Sequence, residues 1–241
     1  MTIQEITLTG GRDKSGAPEQ VERVTFRMGN IVSIVGPTGC GKTTLINDIE
    51  LYADGNTPSG RIVEIDGRLR AQDADGDPSH NPISLISQHT NFLSDLPVQE
   101  FIEIHASIRK LANGATAVRE TFEFANQLTG EPLLPSAPMT ELSGGQTRAL
   151  LIADAVIIGN APIILLDEIE NAGIHRTKAL DLLRHYEKIF IFVTHDPRIA
   201  LLSDFRIVMQ HGGMTRIIER DDDEQIVAAE IRKLDDLLLH F

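Results

Sequence analysis

Residues 31–49, IVSIVGPTGCGKTTLINDI, constrain the fold more than any other part of this chain. A short apolar run rich in β-branched residues leads into a glycine-rich turn, and apolar residues at helical spacing follow. Within the turn stands Gly36-x-x-x-x-Gly41-Lys42-Thr43, the spacing of a phosphate-binding loop, in the strand–turn–helix setting that this motif requires. The glycines allow backbone N–H groups to turn inward around phosphate oxygens, and the helix N-terminus adds the positive end of its dipole. Gly36, Pro37, Thr38, Gly39, Cys40, Gly41, Lys42, Thr43 and Thr44 are therefore the expected nucleotide-binding segment. The Lys42 ammonium is suited to the β- and γ-phosphates, and the Thr43 hydroxyl to Mg²⁺. Cys40 reads as a filler at a variable position of the loop rather than as a redox sensor. The ligand these residues imply is a nucleoside triphosphate.

A second segment, IILLDEIENAGI at 163–174, carries an apolar run into Asp167 and Glu168. A buried strand that ends in two acids brings them to its carboxyl end. If that strand lies beside the phosphate loop, Asp167 approaches Mg²⁺ and Glu168 can polarise an attacking water. Further β-like runs are QEITLTG, VERVTFRMG, GRIVEIDG and KIFIFVTHD; RTKALDLLRHYEK has helical spacing. Strands that alternate with helices and are apolar on both faces predict a mostly parallel sheet covered on both sides. Residues 98–130 show helical spacing interrupted by Gly114, and 70–82 reads as an exposed polar loop. Residues 222–240 predict an amphipathic helix that packs on the protein's own core.

Bulk properties narrow the function classes. A formal net charge of −13 over 241 residues argues against a nucleic-acid backbone as the main partner, since phosphate recognition needs an excess of Lys and Arg. A single cysteine leaves no internal disulfide and fits a reducing compartment. The N-terminus lacks the basic and apolar regions of a signal peptide. The longest apolar stretch, residues 149–166, is broken by Asp154, Asn160 and Pro162, so it does not read as a membrane span. The expected location is cytoplasmic, peripheral on the inner face of a membrane where a membrane partner holds it.

Residues 142–146 read Leu-Ser-Gly-Gly-Gln, followed by the helix-like TRALLIADAVI. The order of the phosphate loop, SQHTNF with Gln88, this pentapeptide, IILLDE, and FVTHD with His195 closely resembles the ATPase domain of the ATP-binding-cassette (ABC) superfamily. The resemblance spans essentially the whole chain. It implies an α/β fold: a P-loop NTPase core, RecA-like with a mostly parallel sheet, an N-terminal antiparallel β-subdomain, and an inserted helical subdomain at about 91–156. It also implies ATP and Mg²⁺ as ligands and ATP hydrolysis as the activity. Glu168, His195 and Gln88 become the expected catalytic residues, and Thr43, Gln88 and Asp167 the expected metal ligands. Ser143, Gly144, Gly145 and Gln146 become the residues that close over a γ-phosphate held by another copy, so the expected working unit is a head-to-tail homodimer.

The chain also departs from that family. DEIENAGI stands where transporter members usually read DEPTSALD, so Ile169, Gly173 and Ile174 replace a proline, a leucine and an aspartate. Residues 1–25 hold no aromatic to stack on adenine, while Phe26 lies within an expected core strand; Arg12 or Lys14 could cover the base. Ala149 and Asp154 stand where transporter members usually carry arginines. Two jobs follow as expectations. One is the nucleotide-binding subunit that drives separate membrane permease subunits. The other is a cassette ATPase that remodels, matures or activates a soluble client protein.

Overall fold

The computed structural model describes residues 3–70, 81–87, 90, 94–168 and 176–238. The polar stretch expected at 70–82, Gln88 and the departing residues 169–174 lie wholly or mostly outside them. Three of the expected strands, β1 (Glu5–Thr9), β2 (Arg23–Arg27) and β4 (Ile62–Ile65), form a small antiparallel sheet in the order β2-β1-β4. Phe26 of β2 is fully buried there, so it is a core residue as its setting predicts.

The principal sheet has six strands in the order β5-β6-β7-β3-β8-β9. These are β3 (Ile31–Val35), β5 (Ile83–Ile86), β6 (Ile163–Asp167), β7 (Ile189–Val193), β8 (Phe205–Gln210) and β9 (Gly213–Glu219). All are parallel except β9, which returns antiparallel beside β8. The strands β5, β8 and β9 are not among those expected from the sequence. β8 and β9 are joined by the His211–Gly212 turn, a hairpin that local alternation alone signals weakly.

Why the strands read as continuous apolar runs is visible in the two cores. Ile164, Leu166, Phe190 and Phe192 face a core built with α2 (Val98–Ile108), α3 (Gly114–Leu128), α4 (Gly144–Ile157), α5 (Arg176–Leu183) and α6 (Pro197–Leu202). Ile163, Leu165, Ile189, Ile191 and Val193 face the opposite core with α1 (Lys42–Glu50) and the small sheet. Because successive side chains point to opposite faces, a strand covered on both sides is apolar at nearly every position, buried Ser33 of β3 being an exception. Gly114 does not interrupt one long helix: it opens α3 after the turn that ends α2.

The C-terminal helix α7 (Asp222–Leu238) forms where the sequence predicts an amphipathic helix. Arg206 of β8 donates to both carboxylate oxygens of Glu224, at 2.7 and 2.6 Å, and Ala228 is buried. Ile226, Val227 and Leu234, however, remain 50–66% exposed. The helix docks against α6, and among its described residues the apolar face is partly covered.

Candidate nucleotide site

The strand order creates the site. β7 lies between β3 and β6, so the carboxyl ends of three adjacent parallel strands deliver the phosphate loop, His195 and the Asp167–Glu168 pair to one edge of the sheet. The acidic strand is thus one strand removed from the phosphate loop, not directly beside it as the sequence suggested. Ligands of open α/β sheets bind at this carboxyl edge.

The phosphate loop is held by steric fit and backbone bonds. A Cβ on Gly36 would lie 2.4 Å from Met209 O and 2.7 Å from Cys40 Sγ, so only glycine allows this closeness. Gly41, at φ 103°, sits in the left-handed region as it leads into α1; a Cβ there would meet Gly212 Cα at 2.9 Å. The Gly212 N–H donates to Cys40 O at 2.8 Å. Cys40 itself is buried, which fits its reading as a filler. Among the described residues no side chain caps the start of α1, which leaves its N-terminal N–H groups for an anion.

Lys42 folds back over this loop. Its Nζ donates to Gly36 O at 2.9 Å and Pro37 O at 3.3 Å, and the residue is 7% exposed. Thr43 and Thr44 are exposed on the first turn of α1. One further lysine joins the loop. Lys14 Nζ donates to Gly39 O at 2.7 Å, while its backbone N–H donates to His211 O at 2.9 Å. Lys14 was a candidate for covering the base; its bond to the phosphate loop was not visible in the sequence.

Glu168 and His195 meet. Glu168 N–H donates to Val193 O at 3.0 Å, which turns the chain at the end of β6, and its φ of 49° places it in the left-handed region. That conformation costs a non-glycine residue about 1–2 kcal/mol, and such strain clusters at functional sites. His195 Nε2 lies 3.5 Å from Glu168 Oε1. The turn that carries His195 is tightly held: Asp196 N–H donates to Thr194 Oγ1, and the Asp196 carboxylate caps α6 and accepts a two-point bond from Arg198. Asp167 ends β6, partly buried, opposite Val193. Gln88 lies outside the described residues.

The pentapeptide Leu142–Gln146 is a helix start. Ser143 Oγ accepts from Gln146 N–H at 3.2 Å and Gln146 Oε1 accepts from Ser143 N–H at 3.0 Å, a capping box on α4. Gln146 Nε2 also donates to Pro132 O. Ser143 and Gly144 stay exposed, and a Cβ on Gly144 would meet nothing within 4 Å, so this surface is open to another molecule. Gly145 follows within the first turn of α4.

A phosphate loop opening into α1, with acids and a histidine at the neighbouring strand ends, defines the class of P-loop nucleotide hydrolases. Residues 21–171 match the family model described as ABC transporter, and the chain belongs to that family. It is 47% identical over 239 residues to an uncharacterized ABC transporter ATP-binding protein of Methanocaldococcus jannaschii, covering 99% of this chain and 91% of that protein. It is 31% identical over 216 residues to a spermidine/putrescine import ATP-binding protein of Mannheimia succiniciproducens, covering 86% of this chain and 54% of that one. The chain therefore spans about half the length of that relative. Among solved structures, it resembles the dimeric ATP-binding cassette MJ0796 in a post-hydrolysis state bound to ADP and Pi, with a TM-score of 0.67, 25% identity and coverage of 90% and 99%. The chain is an ATP-binding cassette ATPase. Among the described residues no helix is long and apolar enough to cross a membrane.

Proposed function

We propose that this chain is the ATP-hydrolysing subunit of an ABC transporter, acting as a head-to-tail homodimer beneath separate membrane permease subunits. The likeness to ABC transporter ATP-binding proteins supports the transport role, and the 3.5 Å approach of His195, beyond the end of β7, to Glu168, at the end of β6, supports the hydrolytic role most directly. In this reading Gly36–Thr44 bind the triphosphate, Glu168 accepts a proton from the attacking water, and His195 orients that water and faces the γ-phosphate. Ser143–Gln146 of one protomer close over the γ-phosphate held by its partner, so ATP binding seals the dimer and hydrolysis releases it.

Mg²⁺ suits the oxygen donors present. The exposed Thr43 hydroxyl and the Asp167 carboxylate at the end of β6, with Gln88, would hold it. When bound, it neutralises charge on the β- and γ-phosphates. In this reading Arg12 or Lys14, on the loop that follows β1, would cover the base in place of an aromatic among residues 1–25.

Two experiments test the reading. Lys42→Ala removes the ammonium from the loop carbonyls and should weaken ATP binding by about 10- to 100-fold, the equivalent of one charge-assisted hydrogen-bond network; unchanged affinity in isothermal titration refutes the phosphate site. Affinity capture with Glu168→Gln protein, ATP and Mg²⁺ from detergent-solubilised cells should recover a multi-spanning membrane protein in stoichiometric yield. Recovery of a soluble enzyme instead would replace transport by remodelling of a client.

A further inference from the structure

Arg61 is one of the largest fully buried side chains in the molecule, and its contacts lead to the phosphate loop from two sides. Its Nη1 donates to Asp48 Oδ2 at 2.8 Å, and Asp48 lies on α1, the helix that the loop opens into. Its Nη2 donates to Gly212 O at 2.7 Å. Gly212 N–H in turn donates to Cys40 O, and Gly212 Cα lies against Gly41. The guanidinium is closed on its third side by Glu19, which accepts from Nε at 2.9 Å and from Nη2. The side chains of Glu19, Asp48 and Arg61 are 0%, 4% and 1% exposed, so solvent does not screen the three charges. Ser59 Oγ adds a 2.8 Å bond to Asp48.

We propose that Arg61 is a positioning residue for the triphosphate: it fixes the phosphate loop by holding α1 through Asp48 and the Cys40–Gly41 peptide through Gly212. The proposal rests on the nucleotide-binding reading of the loop. Two physical consequences follow from removing the guanidinium. The Gly212 turn loses the donor on its carbonyl, and the loop that rests on it gains freedom that phosphate binding must then remove. Two buried carboxylates also lose their counter-charge beneath a site that must accept a polyanion, which opposes phosphate binding.

A mere structural brace and a positioning residue differ in what they change. Replacing a whole buried ion cluster by apolar residues of similar volume is often tolerated or stabilising, whereas removing one partner is not. The experiment therefore compares wild type, Arg61→Lys, Lys42→Ala and the triple variant Glu19→Leu/Asp48→Leu/Arg61→Met. Melting temperature is recorded alongside the dissociation constants of MgATP and of inorganic pyrophosphate.

The expected result is a folded triple variant whose ATP and pyrophosphate affinities both fall about tenfold or more. Arg61→Lys, too short to reach Glu19, Asp48 and Gly212 O together, should fall in the same direction and by the same factor for both ligands. Folded Arg61→Lys and triple variants that bind both ligands as wild type overturn the proposal and leave the cluster a structural brace. If wild type binds neither ligand, or Lys42→Ala binds them equally well, the nucleotide-site reading itself fails instead.

Discussion

Glu168 carries both the strain and the chemistry proposed for the site. Its left-handed backbone is set by the Val193 carbonyl, not by its carboxylate, so exchanging the carboxylate for an amide leaves the turn intact. Glu168→Gln should change unfolding free energy by less than about 0.5 kcal/mol while phosphate release falls by about 100-fold or more; thermal melts and a steady-state phosphate assay check both. Lys188 gives a second prediction at this scale. Its Nζ donates to Asn160 Oδ1 at 2.7 Å, and burial pulls its pKa from 10.5 down to about 8. Between pH 8 and 10.5 the unfolded chain binds this proton and the folded chain does not, so the Lys188 contribution makes stability rise with pH through that window. The gain is complete above the unfolded pKa, and the penalty is fully present below pH 8. Denaturant unfolding at pH 7.5 and pH 10 should show this gain in wild type and its absence in Lys188→Met. The chemistry expected of Glu168 was legible in the sequence but its left-handed turn was not, and nothing in the run KIFIFVTHD marks its first residue, Lys188, as a buried partner of Asn160.

At the scale of elements, α2 and α4 are joined by a polar clasp. Arg109 Nε donates to His105 Nε2 at 3.3 Å, so the other ring nitrogen carries the proton, and Nδ1 lies 2.7 Å from Asp154 Oδ1. This accounts for Asp154, a departure from the arginine usual in the transporter family, as half of an interhelical contact in a partly buried setting. Asp154→Ala should cost about 1–2 kcal/mol, lowering Tm by about 2–8 °C, and His105→Ala added to it should cost little more because the two share one interaction. Calorimetry of the single and double variants measures the coupling. The helix boundaries were legible where caps announced them: Ser143 with Gln146 three residues on spells a capping box, and Asp196-Pro197 starts α6. The hairpin of β8 and β9 was not, since α6, the helix before FRIVMQHGGMTRIIE, is only six residues long and the His211–Gly212 turn between the two apolar runs is a weak local signal.

For the whole molecule, the proposed head-to-tail dimer requires the exposed Ser143–Gly144 surface of one copy to meet the phosphate loop of another. Multi-angle light scattering of Glu168→Gln protein should give a monomer without nucleotide and a dimer with ATP and Mg²⁺, and Ser143→Arg should abolish the dimer by placing a bulky cation at the closing surface. A Glu168→Gln protein that stays monomeric with ATP would remove the head-to-tail arrangement. A net charge of −13 makes each protomer repel its copy, so nucleotide-driven closure should strengthen as ionic strength rises towards physiological values.

What the sequence determined by itself is local and ordered: a strand entering Gly36–Thr43, an acid pair ending an apolar run, a capped helix at Ser143, and a histidine after another buried strand. Each is written in consecutive residues because backbone conformation, capping and burial pattern depend on neighbours along the chain. Tertiary structure alone decided what meets what. The insertion of β7 between β3 and β6 brings His195 to Glu168, and the packing of α1 against the small sheet draws Glu19, Asp48 and Arg61 into one buried cluster reaching Gly212. Glu19, Asp48 and Gly212 lie 42, 13 and 151 residues from Arg61. At such separations no local preference encodes a contact. The order of strands does, and it is set by how the two apolar faces of one sheet are covered at once.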